Sequence, residues 1–300
     1  MGIFVSILIK GGIDEVWART QDPKLHERWD LRFTQIDYLP KAADEPQRFL
    51  YQTRLGFGIR VAGEGESITT KDVERGCRTS SLRFWSDQAH SLIREGSGYW
   101  KYSPEEQGTR FETGYDYKTR LGIFGRFFDL AVFRPLIAWA TAWSFDALRR
   151  WIEDGQSPEL GRQKAVIHAL ARGTLAFVWI WHGLVPKLLA HDPTETLPLL
   201  RLGMTSDTAV GLVHAAAYGE LVMGLATLVL WTWRPILLFE AVSFLALGTG
   251  ATLLAPEMAG WAFNPVTLTL CLVALCLIGF VAGKDLPSAK NCVCGWRRKI

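Results

Sequence analysis

Glu220 and Glu240 stand in stretches otherwise built from Leu, Val, Ala, Phe and Trp, and with His182, Lys187 and His214 they are candidates for chemistry in an apolar medium. Between residues 208 and 283 the only other ionised side chains are Arg234 and Glu257. An ionisable group inside a membrane span costs about 3 kcal/mol on insertion scales, so each carboxyl must face a bundle interior, pair, or stay protonated. Three arrangements fit these residues: a polar lock holding helices in register, a proton or quinone site, and a metal site built from His182, His214 and Glu220. The lock is the favoured reading, and the metal site is the weakest because no His-x-x-x-His or Glu-x-x-His pair fixes a metal. Glu240 is expected near the cytoplasmic interface, where hydration would make it unimportant.

A second candidate is Cys292-Val293-Cys294, read as part of a basic tail. Beside Arg297, Arg298 and Lys299 its thiolates are expected to be electrostatically favoured, which suits redox or metal binding. A reduced, exposed tail or palmitoylation are the alternatives. No second pair completes a four-ligand zinc set, and no metal is assigned. Elsewhere His26, His90, Asp116, Tyr115 and Tyr117 could supply acid and base groups near a cavity. Structural roles are the favoured reading for these.

The elements that must position these residues fall in two halves. Apolar segments at about 170–189, 208–231, 235–254 and 264–283 each approach the ~20 residues needed to cross a bilayer. The joint Trp231–Pro235 is so short that the second and third must form an antiparallel hairpin. Small residues Gly211, Ala215, Ala216, Ala217, Gly219 and Gly224 are expected to let neighbouring helices approach. Arg162, Lys164, Arg172, Arg234 and Lys284 flank one side, which places both termini in the cytoplasm; Lys187 and Arg201 are exceptions. The opening Gly2–Ile9 has no preceding basic residue and reads as a strand rather than a secretion signal.

Residues 1–163 have balanced acids and bases, and 1–154 read as the soluble domain; arginines are interleaved among carboxylates rather than gathered in a stripe, which argues against nucleic acid as a partner. Alternation over 49–53, 57–61 and 111–117 predicts antiparallel strands with one buried face. Ile13–Thr20 and Asp22–Asp30 read as short helices. Pro135 opens a long helix whose Leu136, Ala140, Trp143, Ala147 and Trp151 are expected to face the sheet. Residues 155–169 read as a linker, 170–284 as the membrane domain and 285–300 as the tail.

This order of elements, with the pattern Ile13-Asp14-Glu15-Val16-Trp17 after the first strand, resembles the START-like, polyketide-cyclase-type (SRPBCC) superfamily. The resemblance implies an α+β helix-grip domain, an antiparallel sheet around a long C-terminal helix, with a hollow for a lipid or other apolar small molecule; Phe111, Tyr115, Tyr117 and Trp143 are expected to line it. It transfers no catalytic residues. Trp181-His182-Gly183-Leu184-Val185-Pro186-Lys187, Gly219-Glu220 and Asn264-Pro265-Val266-Thr267-Leu268 occur in the order that resembles DoxX-like membrane proteins, which implies an all-α four-helix transmembrane bundle. That resemblance assigns no certain cofactor and leaves a quinone-linked role open. The expectation is therefore a multi-pass protein of the bacterial plasma membrane that binds an apolar ligand without turnover. A quinone-linked oxidoreductase component, with Cys292 and Cys294 exchanging electrons, or an assembly factor for membrane-complex subunits are the alternatives.

Overall fold

Alternation at the start of the chain puts Ile3, Val5, Ile7 and Ile9 on one covered face of strand β1 (Gly2–Ile9). The computed structural model describes residues 2–42, 45–56, 58–72 and 76–297. Phe57, expected in a strand, and Arg298 and Lys299 of the tail lie outside the described residues. The chain divides into two units, one formed by the chain up to Gly161 with the segment from Pro287, the other by Arg162–Leu286.

In the first unit, helix α1 (Ile13–Gln21) is followed by α2 (Pro23–Trp29), which Asp22 caps by accepting from the Lys24 and Leu25 amides. Six antiparallel strands follow: β2 (Gln35–Tyr38), β3 (Gln47–Gly56), β4 (Ile59–Asp72), β5 (Cys77–Trp85), β6 (Ile93–Glu105) and β7 (Gly108–Thr119). A helical run, α3 (Gly122–Phe128), a wider turn at Asp129–Phe133 and α4 (Arg134–Glu153), closes the grip. Phe111 stacks on Phe145 of α4 with ring centroids 4.3 Å apart, and Trp29, Trp100 and Leu148 join the same core. Each such side chain removed from water contributes about 1.5–3 kcal/mol. An antiparallel sheet gripping a long helix is the helix-grip fold.

Two expectations about this unit change. The face of α4 turned to the core carries Ile137, Phe145, Leu148 and Ile152 together with the expected Trp151, whereas Leu136 is exposed. The middle of α4 is buried all round, because the segment from Pro287 packs on it too. The expected tail is not free: β8 (Val293–Arg297) pairs antiparallel with β1, Val5 opposite Cys294, and completes the eight-stranded sheet in the order β2-β3-β4-β5-β6-β7-β1-β8. Pairing satisfies the backbone groups that an edge at β1 would leave open.

The expected linker is also mostly helix. Only Asp154–Ser157 intervenes before α5 (Pro158–His182), where the Ser157 hydroxyl accepts from the Leu160 amide and Pro158 sits in the first turn. α5 continues through a wider turn at Gly183–Leu189, and the second unit adds α6 (Leu197–Arg201), α7 (Ser206–Val229), α8 (Pro235–Leu254) and α9 (Pro265–Ala282). Three of these, α7, α8 and α9, are long and apolar enough to cross a membrane. α5 falls short of that composition because it carries charge, yet its Leu175 and Trp179 share a core with Leu237 of α8 and Cys276 of α9. At one end Lys164 donates to Lys284 O at 2.6 Å; at the other Arg201 pairs with Glu257 at 2.9 Å. The outcome is a four-helix bundle of alternating direction whose outward faces, with Val222, Val242 and Leu270 exposed, are apolar.

Candidate functional site

In the first unit, the side of the sheet facing α4 is fully packed at one end and incompletely covered at the other. Phe33, Phe49 and Tyr51 are half-buried there, with Tyr51 5.7 Å from Phe33 and 6.5 Å from Phe49, ring to ring. Gly65 makes this wall flat, since any side chain at that position would overlap the Phe49 ring. Tyr38, 6.2 Å from Phe49, extends the wall into a cleft of about 450 Å³ lined also by Trp17, Gln21, Gln47, Ser67 and Thr69. Burial pushes the Tyr51 phenol up to about 12, so it stays a neutral donor.

The packed end of the wall carries buried polar groups. Asp30 takes Arg32 in a two-point pair, Nε to Oδ1 at 2.9 Å and Nη2 to Oδ2 at 2.6 Å, and His26 Nε2 lies 2.9 Å from Oδ2. Burial raises the Asp30 carboxyl, but Arg32 and then His26 outweigh it and hold the acid well below the usual carboxylate range. Burial likewise opposes the Arg32 charge, and the facing Asp30 carboxylate overcomes it. The guanidinium sits 5.6 Å from the ring centres of both Phe33 and Tyr115. A paired cation between aromatic faces can orient a single polar group of an otherwise apolar molecule.

Of the residues expected to line a hollow, Tyr115 and Tyr117 border an open depression of about 800 Å³ on the sheet. Phe111 is closed inside the aromatic core, and Trp143 is buried on α4. The Tyr115 hydroxyl is 2.8 Å from Thr141 Oγ1, and Tyr117 donates to Asp129 at 2.6 Å. Burial raises both phenols, and for Tyr117 the Asp129 carboxylate raises it further. Among the acid–base candidates, His26 joins Asp30, His90 Nε2 lies 2.8 Å from Arg60 O, and Asp116 faces Arg134 at 3.5 Å. Asp30 and Arg32 were missed by sequence reasoning. Their only signal was a charged pair two residues apart directly after an apolar helix face.

Within the bundle the ionisable residues form two clusters, one towards each end. Lys187 Nζ lies 3.0 Å from Glu220 Oε2 and 3.1 Å from Glu195 Oε2, and it donates to His182 O at 3.3 Å. Glu220 therefore meets Lys187 and not an imidazole. His214 faces His191 at 5.8 Å, so His182, His214 and Glu220 do not converge, and among the described residues no cluster of three His, Cys, Asp or Glu side chains is suited to a metal ion. Glu240, expected to be hydrated, is fully buried instead and accepts from Thr227 Oγ1 at 2.5 Å. Arg172, counted as a flanking charge, is also fully buried: it donates to His168 Nε2, Thr227 O and Trp233 O. Of the small residues expected at helix contacts, Ala217 and Gly224 lie on the buried face of α7, while Gly211, Ala215, Ala216 and Gly219 are exposed.

The thiols also differ from expectation. Cys292 is half-buried, with Sγ 3.2 Å from Ala142 O, and Cys294 sits in β8. Burial pushes both thiols up, and nearby Asp146 adds to the effect at Cys292, so neither is favoured as a thiolate. Arg298 and Lys299, expected to do the opposite, lie outside the described residues.

The model of the DoxX-like family matches residues 176–277. An uncharacterized membrane protein, YndG of Bacillus subtilis (strain 168), is 47% identical over 182 residues, which cover 60% of this chain and 68% of the relative. Among solved structures, TTHA0849 from Thermus thermophilus is similar to 52% of this chain over its whole length, at 16% identity and a TM-score of 0.39. A STAR-related lipid transfer protein from Xanthomonas axonopodis is similar to 49% of this chain and 82% of its own, at 16% identity and 0.38. The Zhui aromatase/cyclase from Streptomyces sp. R1128 is similar to 52% of this chain and 98% of its own, at 12% identity and 0.39.

Proposed function

This chain belongs to the DoxX-like family, and we propose that it is a membrane-held receptor or carrier whose helix-grip unit binds an apolar, lipid-like molecule without turnover. The observation that carries the reading is the half-buried wall of Phe33, Phe49 and Tyr51. Aromatic side chains left open beside a buried Asp30–Arg32 pair suit a ligand with a long apolar body and one polar group. The cleft that continues the wall, about 450 Å³, lies within the ~300–1,000 Å³ of small-molecule sites.

Strand pairing bears on the topology. β1 and β8 belong to one sheet, so the chain must enter and leave the bilayer on the same side, which requires an even number of crossings. Three apolar helices and α5 make that even number. Arg162, Lys164 and Lys284 then support a cytoplasmic location for the helix-grip unit in a bacterial plasma membrane.

The test is to extract the full chain in mild detergent and quantify co-purifying lipids by mass spectrometry, beside a Ser67→Trp variant that fills the cleft. The reading expects one species near equimolar amount in the parent and a several-fold loss in the variant at unchanged circular dichroism. A parent without bound lipid, or a variant that retains it in full, overturns it.

A further inference from the structure

The connection from β7 to α4 holds apolar side chains outward. Leu121 and Gly122 both adopt left-handed backbone, φ 66° and 54°, a conformation easy for glycine and strained for leucine. This turn launches α3, where Ile123 is 87%, Phe124 88% and Phe127 74% exposed, and Phe128 and Leu130 continue the same ridge at half exposure or more. Single exposed apolar residues are ordinary, but a contiguous ridge of this size marks an interaction surface.

The base of the ridge is held firmly. Asp129, buried, accepts from Tyr117 at 2.6 Å and from Arg134 Nε at 2.8 Å. Burial opposes the Arg134 charge, yet Asp129 holds the guanidinium up, and this contact pins the helical run to β7. Between Leu121 and Leu136 the other acid-bearing or basic side chain is Arg126, which is exposed. The outward face is thus apolar apart from one cation, a composition that suits contact with a membrane interface bearing anionic headgroups.

We propose that this ridge inserts into the headgroup and acyl boundary of the bilayer in which the same chain is held. A bilayer is the occupant that charge and tether favour. The chain crosses it by its own apolar helices, and four residues, Asp154–Ser157, separate α4 from α5, so the local concentration of lipid surface is high. The proposal stands whether or not the cleft holds a ligand.

The test uses the unmodified full chain, reconstituted in phosphatidylethanolamine and phosphatidylglycerol vesicles containing a phospholipid with an acyl-chain diazirine. After irradiation, adducts are mapped by mass spectrometry. Ile123, Phe124 and Phe127 are expected to be labelled to the same order as outward residues of α7–α9, such as Val222 and Leu270, while exposed Ile59 and Ile68 of β4 stay at least ten-fold lower. A Phe124→Asp/Phe127→Asp double variant should lose labelling in the ridge and keep it in α7–α9. Labelling of the ridge no higher than that of Ile68 overturns the proposal, as it would if a second copy or another protein covered the ridge instead.

Discussion

Arg172 Nε donates to His168 Nε2 over 3.0 Å while His168 Nδ1 donates to Gly279 O at 2.7 Å, so the imidazole carries its hydrogen on Nδ1 and turns a lone pair to the guanidinium. The neutral ring acts as a hydrogen-bond bridge between α5 and α9. Arg172→Ala would strip donors from His168, Thr227 O and Trp233 O together, at about 1–3 kcal/mol for each buried group left unpaired. Denaturation in detergent micelles should show a loss of about 3 kcal/mol or more. Arg172→Lys should recover only part, because one ammonium cannot reproduce the planar fork. An unchanged midpoint for Arg172→Ala would remove the cluster's structural role.

Lys187 and Glu220 tie the turn after α5 to α7. Removing Lys187 leaves the buried Glu220 without its counter-ion, a cost of about 3–5 kcal/mol, whereas removing Glu220 leaves Lys187 still paired with Glu195. Lys187→Met should therefore destabilise strongly and Glu220→Gln less, while the double variant loses less than the sum by about 0.5–3 kcal/mol. A thermodynamic cycle over the four proteins measures this directly. Strict additivity would mean that the pair does not couple.

Asp146 should decide whether the returning segment docks. Its carboxylate accepts from the Ser288 amide at 2.8 Å and from Asn291 Nδ2 at 2.9 Å, besides pairing with Arg149. Asp146→Ala is expected to cost about 3 kcal/mol and to raise hydrogen exchange in Val293–Arg297 before the rest of the sheet. Equal protection in parent and variant would count against the clamp. For the same reason a fragment ending at residue 155 leaves the β1 edge unpaired and should aggregate more than one rejoined to 287–297.

Acid should weaken the helix-grip unit through Asp30. A carboxyl held below its ordinary value contributes stability that is complete above about pH 4 and fades as pH falls towards the lowered folded value. Asp30→Asn should cost about 3 kcal/mol at pH 7, and its melting temperature should converge on that of the parent as pH drops below about 4. A gap constant from pH 7 to pH 3 would show that the ion pair is not its source.

Local pattern carried much of this architecture. The alternation Phe111, Thr113, Tyr115, Tyr117 is the inner face of β7, and the apolar segments after residue 207 are α7, α8 and α9. What stayed hidden depends on partners far away in the chain. β8 is five residues long, and nothing in Val293–Arg297 announces that it pairs with β1. Arg172 looks like a flanking charge until Thr227 O and Trp233 O are brought to it across the bundle. The α4 face departs from its expected stripe because its middle is covered from two sides, which erases the one-sided periodicity. Asp30 and Arg32 showed only as neighbours, since their burial is decided by aromatic rings from several elements.

Because Val293–Arg297 lies beside Gly2–Ile9, the ribosome makes the first strand long before its neighbour exists. Every membrane helix is translated in between. The nascent protein must carry an unfinished β1 edge through the whole period of insertion, and only a polypeptide whose helices have threaded correctly can deliver the missing strand. Closure of the sheet thereby reports that the membrane portion has been completed.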